Sequence, residues 1–227
     1  MRLRRFLRYL LILLLAGILV GTAAALLEIP ASTVQMMIIL VCIIWLAAML
    51  LYYGFVMAPY RKRVLQQNAD MDSGKSNQAL ADMEAMQEEP MVKKSRYLTQ
   101  CCDINRSAAY CRMEQYGQAL DILRAMPEKN LRDRTLLVHH LNTCICLFYL
   151  GMNEEALDYY REQEKLFRDY KRDRTYGGHL ALLQGWVAAA QGDVPGAREV
   201  LEKTEGTFQS VSLQEGHEKL REYLDTL

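Results

Sequence analysis

The chain has 227 residues, of which 27 are basic and 27 acidic, so its formal net charge is zero. That zero is a cancellation, because residues 1–63 carry seven basic side chains and one acid (net +6) while residues 64–227 carry 20 basic and 26 acidic ones (net −6). The split excludes a uniform soluble globule, and the acidic larger part argues against non-specific nucleic-acid binding, which needs a field that attracts phosphate.

From Leu7 to Leu27 the chain is apolar apart from Arg8 and Tyr9, and a second apolar run extends from Val34 to Met57 with Gln35 as its strongly polar member. Each reaches the ~20 residues that a helix needs to cross the hydrocarbon of a bilayer. In lipid the backbone must satisfy its own hydrogen bonds, so both runs are predicted to be transmembrane helices, with spans 7–27 and 34–57. Residues 1–60 then form a transmembrane hairpin. Pro30 in the connecting loop stops the first helix, and Ser32 or Thr33 is placed to cap the second. Arg2, Arg4, Arg5 and Arg8 precede the first span, Arg61, Lys62 and Arg63 follow the second, and the loop between holds no basic residue. Lys and Arg stay on the cytoplasmic side, so the expectation is a plasma-membrane protein with two spans and both termini cytoplasmic, of bacterial type. A cleaved signal peptide has the same order of features, but this apolar stretch is long for one. Gly17, Gly21 and Ala25 form a small-residue stripe that permits close backbone approach. It suits packing against the partner span, with homo-oligomerisation as the other use.

Residues 61–92 are expected to be a juxtamembrane helix and part of a degenerate repeat. Ser76 opens an apolar-periodic stretch through Ala79, Leu80, Met83 and Met86 that ends before Pro90. Ala69 to Ser76 also has the loose spacing of a phosphate-binding loop. A membrane helix precedes it rather than a buried strand, and Asp70 and Asp72 would repel a triphosphate, so Ser73 or Ser76 reads as a helix cap.

Beyond Arg63 the apolar period is near 3.6, so the whole cytoplasmic part reads as helical. Residues 93–227 show internal repetition. Segments beginning at Glu114, Gly151 and Gly192 align on Ala119, Ala156 and Ala197, spaced 37 and 41 residues apart, and Arg-Asp-Arg-Thr recurs at 132–135 and 172–175. A small residue (Ser107, Cys144, Gly185) stands twelve positions before each alanine, and a large one (Leu123, Tyr160, Leu201) four after it. This pattern resembles the tetratricopeptide repeat over roughly residues 93–210. The resemblance implies an all-α fold in which small residue and alanine meet where paired helices cross, giving a helical-hairpin solenoid. Leu213 to Leu227, with Leu220, Leu224 and Leu227 on one face, is expected to cap it.

The first helix of each pair lines the concave side of such an array, its usual ligand groove. Carried over residue by residue, the resemblance places Cys101, Ile104, Asn105, Ala108 and Arg112 there from one repeat, Val138, Leu141, Asn142, Ile145 and Tyr149 from the next, and His179, Leu182 and Trp186 from the third. With Arg112 as the one basic member, an apolar or helical segment of a protein partner fits better than an acidic tail. The alternative is that these residues pack within the array or beneath the C-terminal helix, and Trp186 distinguishes the two.

No motif points to chemistry. Cys101, Cys102, Cys111, Cys144 and Cys146 lie on predicted first helices in a reducing compartment, so structural disulfides are not expected. His140 and Cys144 share a helical face at i,i+4, but no CxxC knuckle accompanies them, and no metal or cofactor is expected. None of the four histidines belongs to a recognisable catalytic signature. The sequence therefore reads as a membrane-anchored cytoplasmic adaptor that binds proteins and is not an enzyme. A homo-oligomeric structural protein, or a membrane-tethered enzyme or metal protein, is the competing class.

Overall fold

The computed structural model describes Gly17, Thr22 and residues 30–131, 133–206 and 210–227. Among these the chain is all-helical, with no strand. Two compact units are separated between Lys62 and Arg63.

In the first unit, helix α1 (Ala31–Leu51) follows Pro30, whose extended backbone (φ −55°, ψ 134°) turns the chain into the first helical residue. No side chain caps this helix. Ser32 and Thr33, expected as caps, instead lie inside the first turn, where the Thr33 N–H donates to the Pro30 carbonyl (2.9 Å). The helix starts at Ala31, directly after Pro30, so both hydroxyl side chains fall within it rather than ahead of it. Apolar side chains from Met36 to Leu51 are exposed on all sides, Trp45 among them. The backbone then widens into a π-helical segment (Tyr52–Met57) in which the Ala58 N–H donates to the Tyr53 carbonyl. Pro59 explains the widening: it offers no N–H, and its ring crowds the carbonyl of Phe55 four residues earlier. Helix α2 (Ala58–Asp72) follows. One described helix, Ser32–Asp72, is long and apolar enough to cross a membrane. Gly17 and Thr22 are helical and exposed, and a Cβ added at Gly17 would meet nothing within 4 Å. The rest of the 7–27 run, including Gly21 and Ala25, lies outside the described residues.

The second unit begins at Arg63, whose guanidinium donates to Asp82 (2.8 Å) and to Glu89. Gln67, fully buried, adds a bond from its Nε2 to Asp82 (2.6 Å). Asp82 belongs to α3 (Ser76–Glu88) and Glu89 caps its end; α3 is followed by the short α4 (Pro90–Lys94) and then α5 (Arg96–Arg112), α6 (Tyr116–Ala125), α7 (Asp133–Tyr149), α8 (Asn153–Tyr170), α9 (Gly177–Ala190), α10 (Val194–Thr204) and α11 (Val211–Asp225). Helix α5 packs on α6, α7 on α8, and α9 on α10, while α5, α7, α9 and α11 also meet one another in that order. Helices α7 and α9 are apolar around most of their circumference and are buried; α8 is amphipathic and buries little beyond Ala156 and Phe167. That difference sorts the first helix of each pair inward and the second outward.

One turn recurs four times. After α2, α5, α7 and α9 the chain passes through a residue with positive φ: Gly74 (78°), Glu114 (60°), Gly151 (73°) and Gly192 (81°). In each case the next N–H reaches back five residues, Lys75 to Asp70, Gln115 to Tyr110, Met152 to Leu147 and Asp193 to Ala188, at 2.8–3.0 Å. This is the Schellman closure, which satisfies the carbonyls left open at a helix end. The 69–76 segment is thus the first such turn, with α2 rather than a strand before it. Ser76 is not its cap, because Lys75 holds that position and Ser76 is buried; the Ser73 hydroxyl donates to the Asp70 carbonyl (3.0 Å).

Between paired helices, Ser107, Cys144, Ala119, Ala156 and Ala197 are fully buried. The Cys144 thiol donates to the Ala156 carbonyl at 3.6 Å. At Gly185 an added Cβ would stand 2.6 Å from Leu220 Cδ2 and 3.3 Å from Val200 Cγ1, so hydrogen alone lets α9, α10 and α11 come this close.

Candidate binding cleft

A cleft of about 460 Å³ opens among the inward helices of the second unit. Ten of the groove positions named above line it: Ile104, Asn105 and Arg112 from α5, Leu141, Asn142, Ile145 and Tyr149 from α7, and His179, Leu182 and Trp186 from α9. Ala108 and Val138 line it as well, while Cys101 does not. Successive positions on one face of each helix converge because i, i+3, i+4 and i+7 stand above one another.

Burial divides the ten. Ile104, Leu141, Leu182 and Trp186 are core residues that form the floor, whereas Asn105, Arg112, Asn142, Ile145, Tyr149 and His179 are half-buried and form the reachable wall. Trp186 is only 5% exposed. Its indole is surrounded by Phe148 (centroids 6.0 Å), Tyr149 (5.2 Å) and Tyr223 of α11 (5.1 Å). It is therefore a packing residue beneath the C-terminal helix. The Asn105 amide nitrogen is buried with no hydrogen-bond partner among the described residues.

Charged side chains pair with one another along the cleft lining. The Arg112 side chain, 13% exposed, donates to Asp72 of α2 (2.7 Å) and to Glu215 of α11. Nearby Lys219 pairs with Glu114 (2.5 Å) and sits 5.7 Å from the centroids of both Tyr116 and Tyr149. Both cations are thus already partnered, leaving the cleft without an unpaired positive group among these two. Burial, and then the Arg112 charge, holds the His179 imidazole down at about 4, so it is neutral at physiological pH. Burial likewise raises the Tyr149 hydroxyl and keeps it protonated. Apart from these paired charges, the lining therefore offers apolar surface, neutral amides and a neutral imidazole.

Sequence reasoning raised a C-terminal helix over the groove as its alternative, but it identified neither the α11 residues that line the cleft, Ser212, Glu215, Gly216 and Lys219, nor those of α2, Asn68, Met71 and Asp72. Gly216 was the available signal. A glycine inside an amphipathic helix usually has a packing reason, and here a Cβ would meet Leu182 Cδ1 at 3.2 Å and the Tyr149 hydroxyl at 3.6 Å.

His140 and Cys144 spend their polar atoms elsewhere. His140 Nδ1 is hydrogen-bonded to the Tyr159 hydroxyl (2.7 Å), and burial raises the Cys144 thiol to about 12. No group of three or more His, Cys, Asp or Glu side chains suited to a metal ion occurs among the described residues. Comparison with family models, curated proteins and solved structures found no match.

Proposed function

We propose that this chain is a membrane-anchored cytoplasmic adaptor that binds a protein partner through a tetratricopeptide-like groove. In this reading residues 1–60 are a two-span hairpin with both termini in the cytoplasm, and residues 93–227 are a helical-repeat array extended by a degenerate pair at its start. The observation that carries it is convergence. Equivalent first-helix positions from α5, α7 and α9 line one cleft, as in an array whose concave side binds ligands. The four like turns add support, since their positive-φ residues are 40, 37 and 41 apart.

A volume of about 460 Å³ lies within the range of pockets that enclose a small ligand. The partner accordingly inserts a short, uncharged and largely apolar segment rather than a whole helix. Neutral Asn105, Asn142 and His179 supply hydrogen bonds to its backbone, and the paired Arg112 makes a carboxylate terminus a poor fit. Membrane tethering raises the effective concentration of partners on the same bilayer, so modest affinity suffices.

The test is site-specific photo-crosslinking in intact membranes. A photoreactive residue at Asn142 or Ile145 is expected to capture a discrete protein, and the same residue at Glu162 on outward-facing α8 is not. Equal capture at all three positions, or none at the first two, overturns the adaptor reading. For homo-oligomeric assembly the counterpart is chemical cross-linking of the parent chain and Gly21→Leu, where a discrete oligomer lost in the variant would favour it.

A further inference from the structure

Cys111 on α5 and Cys146 on α7 bring their sulfurs to 3.3 Å. Both are free thiols, 35 residues apart in the chain, and only the packing of α5 on α7 makes them neighbours. Their surroundings differ. Cys146 is fully buried, while Cys111 is half-buried and lines the cleft, so a small solute entering the cleft meets Cys111 first with Cys146 directly behind it. A disulfide requires sulfurs at ~2.05 Å, a short closure for two side chains already in contact.

We propose that Cys111 and Cys146 form a reversible dithiol–disulfide pair, a redox modification site in the cleft wall that fastens α5 to α7. Hydrogen peroxide serves as the oxidant. The Cys111 sulfur, after giving up its proton, attacks one peroxide oxygen; the O–O bond breaks, Cys111 becomes a sulfenic acid, and the departing hydroxide takes up the proton as water. The Cys146 sulfur then attacks the sulfenic sulfur, the S–O bond breaks, and the hydroxide leaves with the Cys146 proton as a second water. Two thiols and one peroxide become one disulfide and two waters, the sulfurs losing two electrons and the peroxide oxygens gaining them. The order follows from access, and it agrees with the chemistry of Cys146, whose thiol is kept protonated by its bond with Cys111 and by burial. Its role is to resolve the neighbour rather than to meet the oxidant. The proposal does not depend on the cleft binding a partner.

Other thiols lack this arrangement. Cys101 and Cys102 are adjacent on α5, where helical geometry turns their side chains about 100° apart. Cys144 faces the Ala156 carbonyl, and Cys42 lies in the apolar α1.

The test uses the full chain in detergent micelles, treated with increasing hydrogen peroxide beside free glutathione as an internal standard. The reaction is quenched by alkylation in denaturant and mapped by mass spectrometry without reduction. The expected result is a cross-linked Cys111–Cys146 peptide, two hydrogens lighter than its parts, appearing before other cysteines are consumed and removed by dithiothreitol. In Cys111→Ser, which leaves the buried sulfur in place, Cys146 is expected to stay alkylatable under the same treatment. The proposal is overturned if both thiols remain alkylatable once glutathione is oxidised, if Cys111 proceeds to sulfinic acid with Cys146 untouched, or if the disulfides that form join other cysteines.

Discussion

Tyr223 on the last helix lies against Trp186 on α9, with ring centroids 5.1 Å apart. The Tyr223 hydroxyl is in turn held by the Asn153 amide at 3.2 Å, which ties the C-terminal helix to the start of α8. Removing the ring should uncover the indole. Tyr223→Ala in a Trp45→Phe background is expected to shift Trp186 emission to longer wavelength and to cost roughly 2 kcal/mol of unfolding free energy, somewhat less than deletion of a fully buried aromatic. Unchanged emission would mean that α11 does not cover Trp186.

Stability should depend on pH through the buried histidines. His139, 2% exposed, has neither ring nitrogen hydrogen-bonded among the described residues, and burial followed by the neighbouring His140 lowers its pKa to about 4. The unfolded chain, with an ordinary imidazole near 6.5, binds the proton first, so the stabilisation is present above about pH 6.5 and is lost as pH falls from there toward 4. For His139 alone the full loss is roughly 3 kcal/mol. His140 and His179 are lowered as well and act in the same direction. Denaturant titrations from pH 7.5 to 4.5 should show this slope, reduced in His139→Leu.

Gly185→Ala is expected to destabilise the domain by about 1–3 kcal/mol, because the new methyl must enter space held by Leu220 and Val200. Leu220 is the nearer neighbour. The double variant with Leu220→Ala should therefore lose less than the sum of the two single changes, a coupling that a double-mutant cycle would measure.

Glu114 adopts φ 60° where the equivalent turns hold glycine. Glu114→Gly should relieve that strain and raise Tm by a few degrees, even though the Lys219 partner is lost. Glu114→Val should lower Tm, since a β-branched residue tolerates the left-handed region poorly. Thermal unfolding followed by circular dichroism separates the two.

The helix pairs were legible because their signal is local. Ala119, Ala156 and Ala197 each stand at a fixed distance from a small residue, and Gly151 and Gly192 mark the bends between. Alignment located the corresponding bend at Glu114 but not its positive φ, since nothing in that residue's own identity asks for it and the hydrogen bonds from Gln115 and Glu114 impose it. The π-helical segment was hidden for a related reason: Pro59 announces a disturbance but not whether the helix kinks, stops or widens. In the cleft, the positions on α5, α7 and α9 follow from periodicity, which places them on one face. The roles of Asp72 and Glu215 do not, because both meet Arg112 from 40 and 103 residues away, and no pattern within a helix encodes such a meeting. Trp186 was ambiguous for the same reason, its burial being decided by where α11 comes to rest.

The repeated turn also bears on how the domain is made. Each of the four bends draws together helices adjacent in the chain, so a helix pair can zip shortly after its second member leaves the ribosome, without waiting for distant residues. The exception is the last step. Leu220, Tyr223 and Leu224 are synthesised 34 to 38 residues after Trp186, and until they dock, the nascent chain leaves Trp186 and its aromatic neighbours open to solvent. The interval between synthesis and docking of α11 is when the indole is open to chaperones and proteases, and a truncation that removes Leu220 to Asp225 should prolong it.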